Sequence, residues 1–305
     1  MTSIDRPHLT SGLLLAAAGS IAFSGKAIIV KLAYRYGVDA VTLIMYRMLF
    51  ALPLFLAMVW WATARAKGKR VPLNRQDAWG IVGLGFSGYY LASFLDFWGL
   101  QYISASLERL ILYLNPTLVL VLGWVLYRRA ISWRQAGAMA LSYGGVLLVF
   151  GHEARFDGTA TLLGAALVFA SAISYAIYLV YSGEMVKRLG ALRLVGWATT
   201  VACVLCLCQF VVLRPWSAAI VAPEVLWLSL LNAVACTAAP VVMVMMAIER
   251  IGSGLTAQTG MIGPMSTITM GVVILGEPLN TWVVAGTVLV VAGVLWVTWQ
   301  PRART

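Results

Sequence analysis

Five charged side chains stand inside long apolar runs of this sequence: Lys26, Arg47, Asp96, Glu108 and Arg109. A charge at the centre of a membrane-spanning helix costs roughly 2.5–3.5 kcal/mol on insertion scales, which makes such residues functional suspects. Lys26 and Arg47 are cations that could draw in a carboxylate or another anionic group of a solute, or equally serve in structural ion pairs. Asp96, Glu108 and Arg109 lie close to the external ends of their segments and read as a gating or outer-side charge cluster that holds helices together when that side is closed. Three positive against two negative charges would leave one cation over. Asp96 or Glu108 could also carry a coupled proton.

Polar and aromatic residues near mid-segment are the second group. Tyr89 and Tyr90 sit at the centre of one apolar run, Tyr113 precedes Pro116 by almost a turn, and Ser174, Tyr175 and Tyr178 are central in another. Asn115 and Gln258 add amides that both donate and accept. Trp60, Trp61, Trp296 and Trp299 suit an interfacial belt, but central tyrosines have no interface to reach. Cavity lining is therefore expected for Tyr89, Tyr90, Tyr113, Tyr175 and Tyr178, with packing as the alternative. Such a lining suits amphipathic solutes with an aromatic or aliphatic body and charged ends.

Other chemistry fails on context. The cysteines Cys203, Cys206, Cys208 and Cys236 all lie in apolar runs, and no His, Asp or Glu stands within a turn of "CVLCLC" to complete a metal site. An intramembrane hydrolase would need a deep histidine, or a lysine with a serine partner, or two carboxyl groups sharing a proton. His8 and His152 are not deep, and only Asp96 and Glu108 could attempt the last, so no enzyme is expected. "GLGFSG" satisfies GxGxxG but lies in an apolar helix with no strand before it, and "GSIAFSGK" has the wrong spacing for a phosphate-binding loop. Small residues there would instead let helices approach closely. Neither a cofactor nor a metal is expected.

The elements that must position these residues follow from composition. The chain is 61% hydrophobic and 11% charged, with mean hydropathy +0.88, whereas a soluble domain carries about 25% charged residues. In lipid every backbone group must be satisfied internally, which leaves helices or a closed barrel. The apolar runs are continuous rather than alternating, so the fold class is all-α and polytopic. A span needs about 20 apolar residues, which gives ten segments: 11–34, 39–62, 77–99, 106–126, 135–151, 161–183, 194–213, 224–247, 254–275 and 282–299. The net charge of +11 does not imply nucleic acid as a partner, because the basic residues are dispersed in short loops, where they set topology. With the N-terminus in the cytoplasm, fifteen Lys and Arg fall in cytoplasmic loops and tails against four outside: Lys31, Arg35, Arg155 and Arg214. Both termini are placed in the cytoplasm.

Two prolines expose a repeat. "LYLNPTLVLVLGW" places Pro116, and "GMIGPMSTITMGVV" places Pro264, near the middle of a segment and 148 residues apart. The same shift aligns Ile103 with Ile251, Leu107 with Leu255, Gly123 with Gly271 and Gly145 with Gly293 without a gap. Five segments separate the partners, an odd number, so the halves 1–151 and 152–305 are expected to be inverted. Inverted halves with paired helix-break prolines point to a secondary transporter with a central site, although a proline can also kink a helix for packing alone.

These residues resemble the drug/metabolite transporter superfamily, specifically the bacterial ten-span exporters with two EamA domains. The carrying features are "VTLIMYRMLFALPL" with Arg47, "LYLNPTLVLVLGW", "GPMSTITMGVVILGEPLN", and Lys31 in "AIIVKLAY". One departure is visible: Gly276-Glu277 follows the second proline segment where the first half has Arg128-Arg129. Within the superfamily the chain is most similar to the aromatic and neutral amino-acid exporters of the bacterial inner membrane. The resemblance implies two five-helix repeats forming a basket around a central cavity. The lipid bilayer and a small-molecule substrate would be its partners, and it would need no second copy. A nucleotide-sugar or phosphorylated-solute antiporter is the alternative within the superfamily.

Overall fold

The computed structural model describes residues 6–65, 72–128, 130–155, 158–260 and 262–298. Lys67, Lys69, Arg70, Arg129, Trp299, Arg302 and Arg304, which entered the topology argument, lie outside the described residues. Thirteen α-helices follow one another with no strand among the described residues: α1 (Arg6–Tyr34), α2 (Ala40–Arg65), α3 (Arg75–Gly85), α4 (Ala92–Gly99), α5 (Ala105–Leu112), α6 (Asn115–Tyr127), α7 (Trp133–Glu153), α8 (Gly158–Leu189), α9 (Ala191–Leu213), α10 (Pro223–Ala233), α11 (Ala239–Thr259), α12 (Ile262–Met270) and α13 (Thr281–Thr298). π-helical segments join α3 to α4 (Phe86–Leu91), join α10 to α11 (Val234–Ala238) and extend α12 (Gly271–Leu275).

Among the described residues seven stretches are long and apolar enough to cross a bilayer: Leu9–Tyr34, Ala40–Ala64, Arg75–Gly99, Ala105–Tyr127, Gly158–Gly183, Ala191–Leu213 and Pro223–Ile251. Shorter apolar helices cover Ile262–Leu275 and Thr281–Trp296, and the expected segment 135–151 is α7. The chain is an all-helical, multi-pass membrane protein.

The prolines do not sit where mid-segment kinks would put them. The run 105–127 is two helices, and Pro116 lies in the first turn of the second, where its missing N–H would have had no helical partner. Pro264 likewise follows the restart of the helix at Ile262. At the first break Asn115 Nδ2 donates to Leu112 O at 2.7 Å, the carbonyl that Pro116 cannot reach, and Thr117 Oγ1 adds a bond at 2.8 Å to Leu114 O, which also accepts from Leu118 N.

A second departure concerns the eighth and ninth segments. A break was expected between residues 247 and 254, but α11 runs on to Thr259. Gly252 and Gly254 are weak helix breakers, costing about 1 kcal/mol each, and no proline stands between residues 247 and 259. The chain nonetheless reverses, as its contacts along α1 record. Asn232 Nδ2 reaches Lys26 O at 3.5 Å. A Cβ on Gly25, Gly19 or Gly12 would then meet Cys236, Val244 or Ile251 in turn. Beyond the bend the order runs backwards, with Ser24 Oγ donating to Gly263 O at 2.8 Å and Arg35 Nη2 to Leu275 O at 2.9 Å.

Local features recur at the 148-residue shift. The π-helical segments begin at Phe86 and Val234, α3 and α10 begin at Arg75 and Pro223, and α7 and α13 begin at Trp133 and Thr281. Arg128 and Gly276 both take left-handed backbone, with φ of 51° and 73°. Helices α7 and α13 pack antiparallel through small residues: a Cβ on Gly145 would lie 2.6 Å from Gly286 O, and one on Gly293 2.6 Å from Ala138 O. Gly145 and Gly293 are mates at the shift, as are Ala138 and Gly286, so the two contacts are one contact made twice.

Candidate functional site

The site is built around α1. Lys26 Nζ lies 2.5 Å from Asp96 Oδ2 on α4 and 3.4 Å from Glu108 Oε1 on α5. Asp96 is 2% and Glu108 0% exposed, while the lysine side chain keeps 18%. The ammonium thus joins the third and fourth spans to the first. Ser24, half a turn earlier on α1, donates to Gly263 O at the α12 restart, so the charged cluster and a helix break meet on the same short length of α1.

The two arginines go elsewhere. Arg47 on α2 is buried; its Nε donates to Thr237 Oγ1 at 3.1 Å and its guanidinium stands 5.1 Å from the centre of the Phe97 ring. Thr237 belongs to the π-helical segment after α10 and passes its own proton to Asn232 O at 2.9 Å. Arg109 Nε donates to Thr267 Oγ1 at 2.8 Å and lies 6.0 Å from the Tyr113 ring. Lys26 therefore serves both carboxylates, and Arg109 is not the cation of the cluster as the sequence suggested. Among the described ion pairs neither arginine has a carboxylate partner. The first half supplies these charges, and Thr237 and Thr267 of the second half supply hydroxyls.

Tyr113 Oη donates to Gly260 O at 2.8 Å, so the broken fourth span reaches the break before α12. The other central tyrosines form a separate group. Tyr89 and Tyr178 place their hydroxyls 3.2 Å apart with rings edge to face, and Tyr175 stacks on Tyr178 at 5.5 Å. Tyr178 is 5% exposed and lies over Gly88, where an added Cβ would come within 2.4 Å of its ring. Close approach thus accounts for the third glycine of "GLGFSG". Ser174 Oγ donates to Ser87 O at 2.7 Å, and Tyr90 packs against Phe86 at 5.5 Å. Tyr89, Tyr175 and Tyr178 are packed on one another, whereas Lys26, Asp96 and Glu108 are brought together around α1. The side chain of Gln258 lies outside the described residues.

Sequence reasoning missed what closes one end of the bundle. Glu277 accepts from Ala105 N at 2.7 Å, Ser106 N at 3.3 Å and Ser106 Oγ at 2.9 Å. A carboxylate of the second half thereby caps a helix of the first, where the unpaired amides and the helix dipole favour negative charge. Ser104 caps the same helix through Leu107 N at 3.0 Å, and Glu153 in turn accepts from the Ser104 hydroxyl. Lys31 Nζ donates to Ile103 O at 2.6 Å beside them. The sequence signal was the Gly276-Glu277 pair, but it could not say which helix the glutamate would cap. At the opposite end Arg188 pairs with Asp77 at 2.8 Å, and a cavity of about 420 Å³ opens between Trp61 on α2, Leu192 on α9 and Val242 to Arg250 on α11.

Comparison with known proteins adds a family. The EamA-like transporter family matches residues 10–151 and again residues 162–299. The "Uncharacterized transporter YcbK" of Bacillus subtilis (strain 168) is 30% identical over 284 residues, covering 90% of this chain and 89% of its own. An "Uncharacterized transporter" of Archaeoglobus fulgidus is 26% identical over 176 residues, 57% of this chain and 58% of its own. A solved crystal structure superposes with a TM-score of 0.63 across 94% of this chain and 96% of its own at 15% identity, a likeness of fold alone.

Proposed function

Because the chain belongs to the EamA-like transporter family, we propose that it is a secondary transporter that exports aromatic or neutral amino acids, or related amphipathic metabolites, from the cytoplasm of a bacterium. In this reading ten crossings form two inverted five-helix halves, 1–151 and 152–305, in the inner membrane with both termini inside. The recurrence of helix starts, π-helical segments and left-handed caps at one shift supports it, as do the paired contacts of α7 with α13. The loop that carries Glu277 is then external. In this reading the Glu277 cap closes that side, and transport requires Glu277 to leave the α5 terminus while the cytoplasmic end tightens.

The observation that carries the substrate class is the division of charge around α1. A zwitterion needs an anion for its ammonium and a cation for its carboxylate. Asp96 and Glu108 offer the first, and Arg47 and Arg109, held by threonines rather than carboxylates, offer the second. Tyr113 and the tyrosines of the third and sixth spans supply apolar surface for a side chain. The test is counterflow of labelled phenylalanine in liposomes holding the purified protein, against a panel of amino acids and nucleotide sugars. Exchange blocked by other amino acids is the expected result. Exchange of a nucleotide sugar alone would retain the transporter and move it to the antiporter reading.

A further inference from the structure

Glu108 is 0% exposed, and among the described residues neither of its carboxylate oxygens has a hydrogen-bond partner; Asp96 Oδ1 is in the same position. The only described ion pair of Glu108 is with Lys26 at 3.4 Å, an ammonium already engaged by Asp96 at 2.5 Å, while Arg109 acts on Glu108 without a described ion pair. One cation thus faces two carboxylates. An unpaired buried charge costs several kcal/mol even after relaxation, and like carboxylates sharing a site do not both ionise readily. A proton on one of them leaves a single direct ion pair, between Lys26 and the other. The longer contact identifies Glu108 as the holder, because Asp96 keeps the direct ion pair.

We propose that Glu108 carries an exchangeable proton and that solute export is coupled to inward movement of that proton. The groups around it are few. α1 contributes Lys26 and, towards the outer end, Lys31; α4 contributes Asp96; α5 itself contributes Arg109; and α2 contributes Arg47 beyond Phe97. Glu153 and Glu277 stand at the N-terminal end of α5, bonded to Ser104, Ala105 and Ser106, which precede Glu108 by four residues or fewer. Helices α12 and α13 carry no charged residue, and those of α8 (Glu184, Lys187 and Arg188) lie in its last turns. In the outward-facing state external water delivers a proton to a Glu108 oxygen as the solute leaves. In the inward-facing state the O–H bond breaks, the proton passes to cytoplasmic water, and the ammonium of the next solute takes its place beside the carboxylate. One proton enters for each solute exported, with no redox change. The ammonium step rests on the amino-acid reading; the proton on Glu108 does not.

The first test needs no substrate. Infrared spectra of the purified protein at neutral pH, in water and in deuterium oxide, should show the C=O stretch of a protonated carboxyl group that shifts on deuteration. Loss of that band in Glu108→Gln, with a shift of its frequency in Glu108→Asp and none in Asp96→Glu, is the expected outcome. No such band in the wild type, or a band unchanged in Glu108→Gln, overturns the proposal. If Glu108→Gln does not fold, Glu108→Asp replaces it, and a band unmoved in that variant overturns the proposal equally. The second test is phenylalanine uptake by liposomes with and without an imposed pH gradient. The wild type should accumulate several-fold more label with the gradient, and in Glu108→Gln the ratio should fall to unity; a wild-type ratio of unity overturns the coupling. If phenylalanine does not move at all, the substrate reading fails and the infrared result alone decides the proton.

Discussion

The two halves of the molecule share a plan of helix starts, π-helical segments and breaks, yet they are chemically unlike. The first half buries Arg47, Asp96 and Glu108 and half-buries Lys26 and Arg109. At the 148-residue shift Asp96, Glu108 and Arg109 become Val244, Thr256 and Ala257. The second half answers with neutral acceptors, Thr237, Thr267 and the carbonyls of Gly260 and Gly263, and with one carboxylate, Glu277, set at the end of the bundle. A repeated frame can thus end differently at its two ends: the end at α5 is tied by a charged cap across the halves, while the other end keeps a cavity. The lesson is that the repeat sets where groups can stand, and the departures from it set what the site does.

The largest effect should come from removing the cation of the charged half. Lys26→Ala leaves the buried Asp96 carboxylate without its ion-pair partner and should destabilise the protein by about 3–5 kcal/mol, read as a fall in thermal midpoint in detergent and loss of transport. Preserved stability and unchanged apparent affinity would show that the cluster is neither structural nor part of the site.

Gly123 and Gly271 are mates at the shift and test the frame directly. A Cβ on Gly271 would lie 2.9 Å from Glu277 Oε2, while one on Gly123 meets nothing within 4 Å. Gly271→Ala should cost about 1–3 kcal/mol by overpacking, and Gly123→Ala should gain up to about 1 kcal/mol of helix propensity. Equal effects in thermal melts would mean that Glu277 is not held where it is described.

Smaller effects are expected at the ends. Asp39 caps α2 through the amides of Val41 and Thr42 and meets Arg214 at 3.1 Å. Burial alone would raise its carboxyl group, but the Thr42 hydroxyl, those amides and Arg214 together hold it below the usual range. Because the folded value is depressed, its contribution is present above the unfolded value near 4 and is lost as pH falls through the folded one. Asp39→Asn should therefore cost about 1 kcal/mol or less near neutrality, and the difference from wild type in thermal melts should vanish in acid. Arg128, which holds left-handed backbone where its mate is Gly276, should gain about 1 kcal/mol on Arg128→Gly, seen as a raised thermal midpoint.

Much of the fold was legible because lipid imposes strong rules. Continuous apolar runs and breaks near Pro116 and Pro264 follow from local chemistry. The position of each break did not, since "YLNP" reads equally as a kink or as a restart; only the packing of Tyr113 on Gly260 and Ser24 on Gly263 decides. The charges at depth could be named from the sequence, but their pairing could not, because Lys26 and Arg109 are both cations and only the spacing of α1, α4 and α5 selects the lysine. Glu277 was visible as a departure between halves, and its target, a helix terminus 171 residues away, depends on long-range packing that no local pattern carries.

The cap by Glu277 is where the account is most exposed. Spin labels at Tyr36 and Leu279, both exposed at the end of the bundle that carries this cap, would report the separation of the halves there by pulsed electron resonance in lipid. Glu277→Gln should shift the distance distribution towards longer values, and saturating substrate should move the wild type the same way. A single unchanged distance in wild type and variant, with and without substrate, would contradict closure by this cap.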